Sequence, residues 1–155
     1  MAEERMTAVA TLIARLEGVK GPNRELDARL AVLCGHIVMH ERNGQYAFFE
    51  TPLRKGDMAF LCGCLSGEDD AYRALASCHN TVPNYTGSID AAVRFVEATL
   101  PGWTISIQIN LGGRSVVSVF DRREPRETGT IHPVPAIALV TAALKAIQAK
   151  EEGNG

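Results

Sequence analysis

The sequence predicts an α+β fold, and three observations carry that expectation. Residues 89–100 and 137–147 repeat apolar side chains at helical spacing. Residues 103–109 alternate apolar and polar, the period of a strand with one buried face. Glycine, proline and asparagine punctuate the chain at intervals that separate these runs into short elements.

The elements follow in order. Met6, Val9, Leu12, Ile13 and Leu16 give a first helix over Glu3 to Leu16, broken by Gly18 to Pro22. Asn23 caps a second helix with Leu26, Leu30, Ala31 and Leu33 on its buried side, and Gly35 ends it. Ile37, Val38 and Met39 start a strand-like run. Asn43-Gly44, between HIVMHER and QYAFFE, is a hairpin signal, because both residues tolerate positive φ. Thr51 to Asp57 reads as a loop. Met58 to Leu65 fits either a short buried strand or an irregular turn. Gly67 to Asp70 reads as an acidic turn, and Ala71 to Cys78 as a short helix.

The centre is more sharply patterned. Ser88 is a cap residue, Asp90 sits early in the helix dipole, and Ile89, Ala92, Val93, Val96 and Leu100 form one apolar face. Pro101-Gly102 stops that helix. Trp103, Ile105, Ile107 and Ile109 then mark the buried side of a strand, and Trp103 is expected to be largely buried. Gly112-Gly113 turns the chain into a second, antiparallel strand over Ser115 to Phe120. Asp121 to Thr130 reads as a solvated loop. Pro133 and Pro135 open a last helix, where a missing N–H costs nothing. Its apolar residues are Ile137, Leu139, Val140, Ala143, Leu144 and Ile147, with Lys145 and Lys150 towards the end. Residues 151–155 are expected to fray as a flexible tail. A sheet with one apolar side needs a helix layer over it.

Composition narrows the class. With 155 residues, 46% hydrophobic and 22% charged, the chain is expected to be one globular domain over residues 1–150. A formal net charge of −2 disfavours nucleic acid as a partner. The acidic, amphipathic N-terminal stretch has neither the pattern of a signal peptide nor that of a membrane span, so a cytoplasmic location and no membrane partner are expected. Four cysteines in a reducing compartment are expected as thiols.

Three stretches carry a family resemblance. LIARLEGVKGPNRELDARLAVLCG, NYTGSIDAAVRFVEATLPGW and IHPVPAIALVTAALKAIQA resemble the phage α-β-α sandwich domain family of small phage and prophage proteins. They cover about two thirds of the chain, and the middle, about residues 36–80, diverges. The resemblance implies a single-domain α-β-α sandwich with a mainly antiparallel sheet and helices on both faces. It implies no catalytic residues, since the family has no established activity. It also implies a phage-infected or lysogenic bacterial host.

Candidate chemistry is sparse. Cys62, Cys64, Cys78 and His79 have ligand atoms for zinc, but C-x-C followed by an adjacent Cys-His pair is poor spacing, and buried cysteine as a small hydrophobe is the better account. His36 and His40 share one side of a strand, with Glu41 beside them as a candidate metal or base group; two strand histidines facing solvent are the better account. Cys34 near His36 lacks an identifiable orienting group. Gly112-Gly113-Arg114 runs strand to strand, unlike a phosphate loop, so a plain hairpin turn accounts for it; Arg114 is left as a candidate anion contact. Arg122, Arg123 and Arg126 alternate with acids as solvated loops do. Tyr46, Phe48 and Phe49 suit either a recognition edge or the core.

No nucleophile elbow, Walker loop or H-E-x-x-H occurs. The expected function is therefore a non-catalytic phage or prophage accessory protein that binds a protein partner or itself, with no cofactor and no metal. Its candidate contacts are His36, His40, Tyr46, Phe49 and Arg114. The alternatives are a small-ligand protein that sequesters a nucleotide signal of host defence, and a metal-dependent enzyme.

Overall fold

The computed structural model describes residues 2–43, 45–50, 60–62, 67–77, 82–110, 112–123 and 127–153. Among them are five helices and two antiparallel sheets, an α+β fold. The order is α1 (Ala2–Gly18), α2 (Arg24–Leu33), β1 (Ile37–Arg42), β2 (Gln45–Glu50), β3 (Phe60–Cys62), α3 (Glu68–Ala76), α4 (Ile89–Thr99), β4 (Thr104–Ile109), β5 (Ser115–Phe120), β6 (Glu127–His132) and α5 (Pro135–Gly153). The strands form two three-stranded sheets, β1-β2-β3 and β4-β5-β6. The chain divides into two compact units, residues 1–22 with 85–155, and residues 23–84.

The first unit is built on α5. Pro135 supplies its first turn, and every residue from Ala136 to Leu144 is buried. A helix apolar on all sides must be covered on all sides. One side of α5 lies on β5 and β6, and others pack against α1 and α4. α1 contributes Val9, Leu12, Ile13 and Leu16; α4 contributes Ala92, Phe95 and Val96. Two ion pairs fasten α1 to α5, Arg5 to Glu151 at 3.3 Å and Lys145 to Glu17 at 3.1 Å. The expected cap holds, since Ser88 Oγ accepts from Ala91 N–H. Phe95 meets Tyr85 edge-on at 5.5 Å between ring centroids.

Three expectations are corrected here. The second half of the expected loop 121–130 is the start of β6, paired with all of β5 from Ser115–His132 to Phe120–Glu127. Its residues, Glu-Thr-Gly-Thr-Ile-His, hide the strand behind a polar composition; pairing to β5 selects it. Trp103 is only half-buried, and its N–H closes the stop of α4 on the Leu100 carbonyl. The last helix continues through Glu151 to Gly153, where a frayed tail was expected.

The second unit holds α2, α3 and the first sheet. Asn23 caps α2, its Oδ1 accepting from Leu26 N–H at 3.0 Å. Asn43 has φ of 54° in the two-residue β1–β2 connection, as the hairpin signal predicts. Gly35, at φ 81°, turns the chain out of α2. Met58 to Leu65 yields the short strand β3, and Glu68, Asp69 and Asp70 form the first turn of α3, where acids suit the dipole. Asp27 is fully buried on α2 and takes a hydrogen bond from Arg24 at 2.9 Å; the same guanidinium donates to the Val82 carbonyl at 2.7 Å.

Leu144→Ala should cost about 2–5 kcal/mol in chemical denaturation, since the site is fully buried among packed elements. Lys150→Ala, exposed on the same helix, should stay within about 0.5 kcal/mol.

Candidate functional site

The five residues singled out by sequence are divided between the two compact units. Arg114 belongs to the first unit, in the exposed β4–β5 turn, where Gly113 at φ 83° donates to the Asn110 carbonyl. The other four lie in the second unit. In the β1–β2 register Glu41 pairs with Tyr46, His40 with Ala47 and Val38 with Phe49. Directly paired residues share a face and neighbours alternate, so His40 and Tyr46 lie on opposite faces of this sheet. His40 is exposed and His36 half-buried. The side chain of Phe49 lies outside the described residues, as do the side chain of Cys62 and the whole of Cys64, Cys78 and His79. Among the described residues no three metal-ligating groups converge.

Tyr46 is half-buried on β2, within electrostatic reach of Glu68 of α3. Desolvation raises its pKa first, and Glu41 and Glu68 raise it further. Tyr72 of α3 is buried beneath the guanidinium of Arg29, which stacks at 4.3 Å from the ring centroid. Burial pushes the Tyr72 hydroxyl up to about 12; Glu68 adds to the rise and Arg29 opposes it. Arg29 also bonds Glu25 and Asp69, tying α2 to α3. Tyr72 is thus part of a packed, charge-paired contact between α2 and α3.

The first unit offers two features that sequence reasoning missed. One is a cleft of about 550 Å³ beside β6. Its polar lining is almost wholly committed. His132 is buried, with Nδ1 accepting from Val134 N–H at 2.9 Å and Nε2 donating to the Val19 carbonyl at 2.8 Å. The Thr141 hydroxyl donates to the Ile137 carbonyl, and Lys145 is paired with Glu17. The hydroxyl of Thr130 alone is buried with no hydrogen-bond partner among these groups. A lining with one cation already paired to one carboxylate is electrically neutral.

The other feature is the β4 edge. Ile105, Ile107 and Ile109 pair with Val119, Val117 and Ser115, so they share the face on which α5 packs. Yet Val117 and Val119 are fully buried, Ile105 and Ile107 are half-buried, and Ile109 is 64% exposed. α5 rests on β5 and β6 and reaches β4 only marginally. The reason is width: a helix about 10 Å across covers about two strands spaced about 4.8 Å apart, and the third strand lies beyond it. The Ile-x-Ile-x-Ile signal that predicts burial is thus present in sequence, and its misreading comes from assuming that a helix covers every strand.

No family model, no curated protein and no solved structure matches this chain. No helix among the described residues is long and apolar enough to cross a membrane.

Tyr72 gives a checkable titration. Its folded pKa lies above the ordinary value of 10.0, so its contribution to stability is complete below pH 10 and is lost as pH rises towards 12. Tyrosinate absorbance of the native protein should therefore show a step near pH 12 that Tyr72→Phe removes. A titration in which that variant removes a step near pH 10 contradicts the packing described here.

Proposed function

We propose that this protein is a non-catalytic interaction module, of the small phage or prophage accessory kind that its helix and turn segments resemble. One observation carries the reading: β4 ends its sheet with an apolar stripe, Ile105, Ile107 and Ile109, that no element among the described residues buries fully. Exposed apolar surface on an open strand edge is the surface that strand addition uses, because main-chain hydrogen bonds and side-chain burial are gained together. Neither of the two features in the first unit offers a nucleophile held by a base. In the cleft, both nitrogens of His132 are already engaged and Lys145 is ion-paired.

The cleft favours a second reading, a small-ligand protein. Its size suits a compact organic molecule, and Thr130 has a hydroxyl to satisfy. A nucleotide signal carries several negative charges and calls for converging cations. One lysine held by Glu17 meets that demand poorly, so a net-neutral ligand is the better fit.

A photo-reactive phenylalanine analogue at Gln108, exposed on β4, tests the main reading in the native bacterial setting. Irradiation should give covalent protein adducts at this position and none from the same analogue at Glu97, which is exposed on α4. Equal, background labelling at both positions removes the reading. For the second, a thermal-shift screen should show stabilisation by a neutral polar compound that Thr130→Val abolishes; stabilisation by nucleotides alone contradicts the neutral-ligand assignment.

A further inference from the structure

We propose that the partner of β4 is a second copy of this chain, joined antiparallel about a twofold axis through Ile107, so that two three-stranded sheets become one of six strands. The inference rests on the interaction reading above and names its partner.

Hydrogen-bond direction comes first. Asn110 N–H donates to the Arg114 carbonyl at 3.1 Å, beside the Ile109–Ser115 pair. In an antiparallel ladder, bonded and non-bonded pairs alternate. Thr104, Ser106 and Gln108 therefore bond inward to β5. Ile105, Ile107 and Ile109 direct their N–H and C=O groups away from the sheet. Among the described residues these outward backbone groups have no partner, and they belong to the same three residues whose side chains are incompletely covered.

Among the described residues the edge also lacks protection. Natural edge strands are blunted by lysine, proline, bulges or a covering loop. β4 has no proline, no glycine and no charge, and the sequence has no charged residue between Glu97 and Arg114. β6, the other end of the sheet, is flanked by the Val19 carbonyl that holds His132 and by the Glu17–Lys145 pair. β4 is the less crowded edge.

Self-complementarity selects the occupant. With Ile107 on the axis, Ile107 meets Ile107 of the second copy, Ile105 meets Ile109, and Ser106 meets Gln108. Each isoleucine pair exchanges two backbone bonds, and isoleucine lies on isoleucine along the α5 side. A strand bearing one sign of charge repels its own copy at such a dyad; this strand has none. The contact is isologous and closes at two copies, whereas β4 on β6 would propagate without end.

Sedimentation velocity on the full chain, over a micromolar concentration series, tests this directly. The wild type should move from monomer to dimer with rising concentration. Ile109→Lys, at a residue already mostly exposed, should keep the monomer's circular dichroism and weaken dimerisation at least about tenfold, which is about 1.4 kcal/mol. Adding Ile105→Glu should restore the dimer, because only the stated register places position 105 opposite position 109 of the second copy. A wild type that stays monomeric overturns the proposal, as does a dimer indifferent to Ile109→Lys or a double variant weaker than the single. Hydrogen exchange separates this failure from failure of the broader reading. In a monomer whose Ile105, Ile107 and Ile109 amides exchange fast, the edge remains open to another protein and only self-pairing falls. If those amides are protected in the monomer, the chain covers its own edge and both readings fall.

Discussion

The first unit depends on the requirement that α5 be covered all the way round. From Ala136 to Leu144 the helix offers water nothing, so its packing partners are not optional. The sheet covers one side, and α1 and α4, from distant parts of the sequence, cover others. Small residues make this geometry possible. Ala136, Ala138, Ala142, Ala143 and Ala146 are all buried, and short side chains let neighbouring backbones approach closely. Thr141, the one hydroxyl on the helix's buried interior, returns its proton to the Ile137 carbonyl and leaves no unmet donor.

The same requirement creates the open edge. A single helix spent on β5 and β6 has no width left for β4. A second helix over the outer strand would have sealed the isoleucines, but α1 and α4 are engaged with α5 instead. The exposed isoleucine stripe is therefore a consequence of the core's own packing rather than an addition to it. β4 can carry three incompletely covered isoleucines because the sheet is held on α5 by β5, buried at Ser115, Val117 and Val119, and by β6, buried at Thr130 and His132.

The second unit solves its packing differently, through two arginines. Arg24 joins buried Asp27 to the carbonyls of Val82 and Pro83, closing the chain segment that leaves the unit onto the helix that opens it. Arg29 stacks on Tyr72 while bonding Glu25 and Asp69. A planar guanidinium suits both tasks, because it presents several donors in a fork and a flat face to a ring. The candidate binding aromatics of the sequence analysis reside in this unit. Tyr46 feels the charges of Glu41 and Glu68, which raise its pKa after desolvation does.

The sequence by itself determined the local elements. Helices α1, α2, α4 and α5, the β1–β2 and β4–β5 hairpins, and the caps at Asn23 and Ser88 are all legible, because periodicity, cap chemistry and positive-φ residues act within a few residues of one another. Tertiary structure alone decided three things. It made Glu127–His132 a strand, because the pairing energy comes from β5 and not from its own polar residues. It placed His40 and Tyr46 on opposite faces, because register is a property of two strands together. And it left Ile105, Ile107 and Ile109 incompletely covered, because alternation fixes which side of a strand is apolar, while only the breadth of the helix above decides whether that side is buried.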